Sequence, residues 1–485
     1  MTNRGIINLF FGSSMKFKRY LGIIGIFIIL FGCNKLVDIT GPDTSANTDN
    51  VYNSDETAVA VLNGVYLSLS AGTLLDGNTI NSFMSFYPGL SSDELTLYSN
   101  DRADYIAYYT NNLTDAISPN IWLNTYPVIY TLNSALEGLN KSEKLTPAIK
   151  KQLLGETRFM RAFCYFYLVN LYGDVPLILT TDYKVNASIA RSDKNVVMNQ
   201  IIDDLKEAES LMTDNYYDIN VKSITTERTA PIKWAATALL ARAYLYMKDY
   251  ANADLKATSI INHSELYSLE PLKDVFLANS SEAIFQLQPV NYGWNTEDAR
   301  VFILPAEGPS SSYPVYLSNQ LLLAFEPGDM RRSVWVDSVT VMGTTYFYPY
   351  KYKSAKLDDP VTEYEMVLRL GEQYLIRAEA KAQLGDLSAA VDNINVMRNR
   401  AGLENYNGPQ SLEDLSKAIL HERQIELFSE WGNRWLDLKR TNSVDSVMSK
   451  VTIEKGGIWK SSSNLYAIPQ YDLLYNSNLV QNEGY

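Results

Sequence analysis

The sequence predicts a mainly α-helical protein: helical hairpins carrying long, loop-rich insertions and a few short strands. Three observations predict it. The first is a pair of matching segments, Trp234 to Ala253 and Tyr374 to Ala390. Placing Asp249 on Asp386 brings Ala243 onto Ala380, Met247 onto Leu384 and Ala253 onto Ala390. A helix rich in small residues, a two-residue turn and a second helix with alanine at the contact positions is the pattern of two closely packed antiparallel helices. The second is a partial third copy, Arg161 to Asp174, in which Gly173 caps a helix end and Pro176 stops its continuation. The third is what separates the copies: long, dissimilar stretches in which aromatics stand among Pro, Gly, Ser and Asn. The chain is therefore a helical scaffold with insertions and not a free solenoid.

Reading from the start, Lys16-Phe17-Lys18-Arg19 precedes an apolar run from Leu21 to Gly32 that stops at Cys33. Its twelve residues fall short of the roughly 20 needed to span a bilayer. A basic cluster, a short apolar stretch and a small residue form a secretory signal over 1–32, for which Met15 is an alternative start. Leu30-Phe31-Gly32-Cys33 resembles a bacterial lipobox, which makes Cys33 the lipid attachment point. The alternative is a secreted protein cut elsewhere, with Cys33 incidental. Residues 33–50 read as a tether, since Gly41 to Asn50 is rich in breakers and has no hydrophobic period. Helix signals begin at Ser54-Asp55-Glu56, followed by Ala58, Val61, Leu62, Val65 and Tyr66 on one face. From there, 51–485 reads as a single domain.

Composition bounds the function. Of 485 residues, 46% are hydrophobic and 20% charged, as in a chain that buries a core. A net charge of −13 argues against nucleic acid and anionic membrane surfaces as partners. With Cys33 lipidated, Cys164 has no partner for a disulfide, and its apolar helical setting marks it as a buried thiol. The catalytic inventory is thin. His421-Glu422-Arg423-Gln424-Ile425 begins like a zinc-protease motif, but Ile425 stands where the second ligand is required. No phosphate loop or dinucleotide fingerprint occurs. Carboxylates such as Asp93 and Glu94 are not excluded by spacing as a glycosidase pair, yet nothing assembles a functional constellation. We expect no enzyme, no cofactor and no metal site.

The 34 tyrosines direct attention to two loop-rich blocks, 71–120 and 284–350. Aromatic rings stack on the C–H faces of sugars, while Asn, Asp and Gln bond hydroxyls. We expect Tyr292, Trp294, Tyr313, Tyr316 and Trp335 as stacking faces and Asn291 as a hydroxyl partner. For each aromatic, the competing reading is that it packs its loop onto the helices. Further on, His421 to Arg440 reads as one amphipathic helix, with Ile425, Phe428, Trp435 and Leu438 on a stripe. Within it, Glu430 and Arg434 are spaced to pair.

Several of these segments together resemble the SusD/RagB-like outer-membrane lipoproteins of Bacteroidota nutrient-uptake systems. They are Leu62-Asn63-Gly64-Val65-Tyr66, Arg158 to Ala162 through Tyr172 to Leu177, Arg398 to Gly402, the helix Glu422 to Arg440, and the ending Ile468-Pro469 through Gln481 to Tyr485. The resemblance covers essentially the whole mature chain. It implies a SusD-like fold of four tetratricopeptide-like hairpins wrapped by loop-rich segments. It also implies anchorage to the outer membrane through the lipid on Cys33, facing the exterior. The implied partner is a SusC-like TonB-dependent barrel that receives captured oligosaccharide or polysaccharide. RagB-type members handle peptides instead, so a peptide ligand is the alternative.

Overall fold

The computed structural model describes residues 48–71, 81–117 and 120–485. The expected signal segment, Cys33 and all of the tether before residue 48 lie outside the described residues, as do 72–80 and 118–119 of the first loop block. The chain divides into two units, Met1–Asn50 and Val51–Tyr485, and the second carries its own extensive core.

Four helix pairs form the scaffold: α1 (Asp55–Ser70) with α2 (Asn120–Lys141), α3 (Pro147–Tyr172) with α4 (Lys194–Leu211), α5 (Lys233–Tyr246) with α6 (Tyr250–Ile261), and α7 (Leu370–Gln383) with α8 (Leu387–Arg400). Each pair packs on the next, and the first helices of successive pairs touch, as in a superhelical repeat. A ninth helix, α9 (Leu412–Glu426), packs on α7 and α8. Short two-stranded ribbons tie the insertions down, so the mainly α expectation with few short strands holds.

The two matching segments match down to single hydrogen bonds. Asp249 and Asp386 are both N-caps, accepting from the Asn252 and Ala389 N–H groups at 3.2 Å. Each preceding residue is left-handed, Lys248 at φ 59° and Gly385 at φ 87°. Each Asp N–H then donates to the carbonyl five residues back, Tyr244 and Lys381, at 2.9 Å. This C-terminal closure satisfies orphan helix carbonyls and turns the chain within two residues. Ala243, Ala253, Ala380 and Ala390 are fully buried where the paired helices approach. Ser54 caps α1 as expected, accepting from the Thr57 N–H at 3.3 Å. Cys164 is buried in α3, and burial pushes its thiol up to about 12.

The expectation of one continuous helix from His421 to Arg440 is corrected. α9 stops at Glu426, and α10 (Asn433–Arg440) starts after a break in which Ser429, Trp431 and Gly432 all have positive φ. Gly432 lies against the helix Asn81–Ser91: a Cβ there would meet Pro88 at 2.8 Å and the Met84 carbonyl at 3.0 Å. The break turns Trp431 into the core, where its indole N–H donates to the Met366 carbonyl at 2.8 Å and its ring packs on Phe163 and Tyr167. It also separates the expected Glu430–Arg434 pair. Arg434 grips Asp93 with Nε and Nη2 at 2.8 and 2.7 Å, while Glu430 accepts from Arg369 and Lys351.

Arg369, the N-cap residue of α7, is the hub of a buried ion network. Its guanidinium donates from Nε to Glu430 (2.8 Å), from Nη1 to Glu426 (2.6 Å) and Glu282 (3.0 Å), and from Nη2 to the Glu426 carbonyl (2.8 Å) and Glu430 (2.9 Å). Every donor of the fork is matched. Glu426 also receives Arg331 and Arg400. Burial alone would raise its carboxyl, but Arg400, Arg369 and Arg331 outweigh that and hold it well below the usual range. Removing one member of such a set leaves buried charge uncompensated, at about 3–5 kcal/mol. Arg369→Ala is therefore expected to lose that much unfolding free energy in urea, whereas Lys417→Ala, which breaks an exposed ion pair with Glu413, leaves it essentially unchanged.

Glu156 provides a pH signature. It is buried with no cation beside it, bonded by the Tyr66 hydroxyl (2.6 Å) and Gln152 (2.9 Å). Burial pushes its carboxyl up to about 7, against those two bonds. The unfolded chain therefore releases this proton first, so stability present at low pH is lost as pH climbs from about 4.5 to 7. The gain in Tm of Glu156→Gln over the parent should be near zero at pH 4 and largest at pH 8. Equal gains at both pH values would contradict the assignment.

Candidate ligand-binding cleft

Two short helices and three loop segments meet at a cleft of about 160 Å³, walled by Tyr105, Trp294, Tyr313, Arg300, Glu297 and Ala355 among others. Tyr105 comes from the helix Ala103–Tyr109. Tyr313 comes from a turn closed by reciprocal backbone bonds with Ser310 at 3.0 and 3.1 Å. That turn feeds the strand Val315–Leu317, which pairs antiparallel with Leu95–Leu97. The ribbon is anchored below, where Ser318 Oγ donates to the Asp93 carbonyl at 2.5 Å and its N–H to the Glu94 carbonyl at 2.9 Å.

The Trp294 wall is built by its neighbours. Asn295 staples the loop with four bonds: its carbonyl oxygen accepts from the Thr362 and Glu363 N–H groups at 2.9 and 3.1 Å, and its amide donates to Ser354 and the Pro360 carbonyl at 3.0 and 3.1 Å. Thr296 then caps the short helix Glu297–Phe302, accepting from the Ala299 N–H at 3.1 Å. Within that helix Arg300 donates to Glu297 at 2.9 and 3.1 Å, and its guanidinium lies 4.4 Å from the centre of the Trp294 ring. The opposite wall repeats the device. Arg102 forks onto Asp104 at 2.9 and 2.8 Å and stacks 4.6 Å from the Tyr105 ring centre. Each ring is thus stacked by a paired guanidinium, but they differ in access: Trp294 is half-buried at the cleft, whereas Tyr105 is buried and packed edge-on by Phe86 and Tyr87, so it backs the wall without an open face. Charge in the walls is largely paired internally, so the cleft presents aromatic faces and polar edges. Ser311 also donates to Asp101, whose carboxyl that bond holds below its ordinary value.

The structure sorts the six expected residues. Trp294 and Tyr313 meet in the cleft. Asn291 sits behind it, its amide donating to Glu297 Oε1 at 2.6 Å, so it positions that carboxylate. Tyr316 stands one step along the ribbon, where its ring and that of Tyr98 both pack edge-on against Tyr346, at 5.2 and 5.8 Å. Tyr292 is 94% exposed and lies outside the cleft walls. Trp335 is corrected: it is fully buried and offers no face to a ligand. Its indole N–H donates to the Leu272 carbonyl at 2.8 Å, and Lys351, Arg400 and Arg369 surround its ring at 4.8, 5.7 and 5.9 Å. It belongs to the ion network, where a desolvated ring face stabilises cations. Sequence reasoning missed Tyr105, Arg300 and Glu297. The Thr296-Glu297-Asp298 cap signal was the one readable trace of them, since Tyr105 arrives from almost 200 positions upstream.

A larger groove, of about 330 Å³, lies between helix ends at Lys248, Glu379, Ser416 and Arg440, with Tyr250 as the aromatic of its lining. Arg440 there is committed to Glu379 and Asp437. Both histidines serve structure: His421 bonds the Ala324 carbonyl at 2.8 Å, and His263 packs on Trp234 at 4.3 Å. Among the described residues no group of three or more His, Cys, Asp or Glu is placed to hold a metal ion.

Comparison with known proteins gives a consistent result. Residues 49–245 match a SusD-like family described as starch-binding, associating with outer membrane, and residues 325–485 match the SusD family. SusD-like protein P2 of Formosa agariphila is 26% identical over 525 aligned positions, covering 96% of this chain and 100% of that protein. The starch-binding protein SusD of Bacteroides thetaiotaomicron is 23% identical, covering 72% of this chain and 75% of its own. A crystal structure of a SusD superfamily protein from Bacteroides vulgatus superposes with a TM-score of 0.78 at 22% identity, over 89% of this chain and 99% of that one. A laminarin binding SusD-like protein superposes with a TM-score of 0.71 at 24% identity, over 88% and 99%. Two of these relatives, the starch-binding protein and the laminarin binding protein, are binding proteins by name.

Two tryptophans from one sequence block should part company on mutation. Trp335→Ala is expected to lower unfolding free energy by about 3–5 kcal/mol. Trp294→Ala, at a half-buried cleft wall, should lower it by no more than about 1 kcal/mol. Chemical denaturation reads both, and comparable losses would contradict this placement.

Proposed function

The chain belongs to the SusD family, and on that premise we propose that it captures glycan at the cell surface and delivers it to a SusC-like TonB-dependent outer-membrane transporter. The observation that carries this reading is the cleft itself. Trp294 and Tyr313 offer ring faces of a kind that match sugar C–H faces, backed by buried Tyr105, with Glu297, Arg300 and Ser311 as polar edges for hydroxyls. In this reading Asn291 acts through Glu297, and the Tyr98, Tyr316 and Tyr346 cluster extends the contact along the ribbon for a ligand longer than the cleft. Tyr292 lies on the outer surface and makes at most a peripheral contact.

The relatives' names support a carbohydrate ligand, since they include starch-binding and laminarin binding proteins. The family description supports association with the outer membrane. The anchor in this account is lipid on Cys33, exposed by removal of 1–32, with 33–50 as tether and 51–485 as the binding domain facing outward. The several acyl chains of a bacterial lipoprotein hold firmly where one would exchange. The protein in this role binds polymer without cleaving it.

Affinity electrophoresis of residues 34–485 through gels containing a panel of polysaccharides tests the reading. The expected result is retardation by one polymer with no shortening of it, and at least tenfold weaker retardation for Trp294→Ala, equivalent to about 1.4 kcal/mol. Retardation that survives Trp294→Ala and Tyr313→Ala would remove the cleft from the account. Retardation by none, with binding of peptides instead, would overturn the glycan reading.

A further inference from the structure

The last turn of α10 brings Lys439 and Arg440 to a pocket of about 200 Å³. The end of α3 adds Asn170 to its lining, the start of α4 adds Lys194, and the loops beyond add Asn442 and Asn464. None of these residues contributes to the Trp294 cleft. The pocket opens beside the larger groove at Lys248, with which it shares Arg440 and Asn442. Three cations therefore line one pocket of a chain whose net charge is −13.

Their charges are not equally matched. Arg440 donates from Nε to Asp437 at 2.7 Å and from Nη1 and Nη2 to Glu379 at 2.5 and 2.7 Å. Asp445, the carboxylate of the lining, is engaged elsewhere: it accepts from the Trp459 indole N–H at 2.7 Å. Lys439 has no such partner. Its ammonium donates to the Asn170 carbonyl and, at 3.4 Å, to the Leu171 carbonyl, and it lies 5.9 Å from the centre of the Trp435 ring. Those bonds cover orphan carbonyls at the end of α3 and leave the charge without a counter-ion. Among the described residues no carboxylate acts on it: burial and the neighbouring charge of Lys194 both push its amine well below the ordinary range. Burial lowers Lys194 as well, against a smaller opposing pull from Asp174. The Asp174 carboxylate is bonded to the Lys194 backbone N–H at 2.8 Å.

Two ammonium groups close enough to repel, in a partly desolvated pocket, cost free energy that no protein group here returns. Covering the end of α3 needs one lysine and no pocket. The second lysine and the open space beside it are what that role leaves unexplained. An anion seated between the two would offset the burial of one charge and the repulsion of both. Two positive charges match a doubly charged oxyanion, and lysine serves such groups as a compact point charge. Amide groups of Asn442 and Asn464 add neutral hydrogen-bond donors to the same lining.

We infer that Lys439 and Lys194 form a binding site for a doubly charged oxyanion, sulfate or phosphate, either free or carried on a larger molecule. The site is separate from the cleft and stands or falls independently of the glycan reading. Isothermal titration of sulfate and of phosphate into the mature lipidated protein in a neutral detergent tests it, with ionic strength held constant by chloride. The expected result is saturable binding of either dianion. Lys194→Ala, a change at an exposed side chain, should weaken that binding at least tenfold, and Lys194→Arg should restore most of it. Lys439→Met should weaken it by as much. Sulfate keeps its charge throughout, so its affinity should tighten as pH falls from about 8.5 to about 6 and Lys439 gains its proton, and Lys439→Met should abolish that slope. A sugar 6-sulfate and a sugar 6-phosphate separate the two sources. Tighter binding than the free ions means that the oxyanion arrives on a sugar, and weaker binding that it arrives free. The site is wrong if none of these ligands gives a saturable heat, or if chloride competes as an equal. It is equally wrong if affinity survives Lys194→Ala, or if the parent's affinity for sulfate does not change with pH.

Discussion

Five matched hydrogen bonds around one buried guanidinium hold this molecule together. Arg369 ends a core strand and begins α7, and its partners come from Glu282 just before its paired strand, from the end of α9 at Glu426 and from Glu430 in the break that follows. Burying so much charge carries a large desolvation penalty, and only complete pairing offsets it. That condition couples segments distant in sequence: the scaffold hairpins, the strand pair and the C-terminal helices must be in place together for the charges to be paired. Gly371 reflects the crowding, since a Cβ there would fall 2.5 Å from Arg369 Nη1 and 2.8 Å from Glu282 Oε1.

The ligand face hangs from buried ion pairs at two points, one in this network and one just past it. Trp335 lies among its cations and leads directly into the hairpin Val336–Pro349, which carries Tyr346 to the aromatic cluster. Arg434, just past the break, holds Asp93, and two residues later begins the ribbon that carries Tyr98 beside Pro314. Rings used for stacking work best when they need no ordering on binding, because immobilising a side chain costs about 0.5–1.5 kcal/mol. The guanidinium contact on Trp294 and the four bonds of Asn295 do that ordering beforehand.

Local chemistry was legible in the sequence and long-range pairing was not. Asp249 and Asp386, Ser54 and Gly173 signal caps and turns through their immediate neighbours, and the structure uses each that way. Family motifs in order made the scaffold recognisable from end to end. The ion network left no such trace, because Arg369 finds Glu282 across 87 residues and Arg434 finds Asp93 across 341. The helix break was hidden for a related reason: of its three left-handed residues only Gly432 is a type that advertises the conformation, while Ser429 and Trp431 are held there by packing. Composition likewise grouped Trp294 with Trp335. Burial separates them, and burial is set by which cations fold in around the ring.

Hydrogen–deuterium exchange with and without the most retarding polysaccharide tests the central claim most directly, because it reports where ligand touches a scaffold that is otherwise already rigid. The account predicts added protection in residues 98–109, 291–301 and 311–316, with the hairpin helices unchanged. Protection confined to the groove at Lys248, Tyr250, Glu379 and Arg440, with the aromatic cleft unaffected, would contradict it.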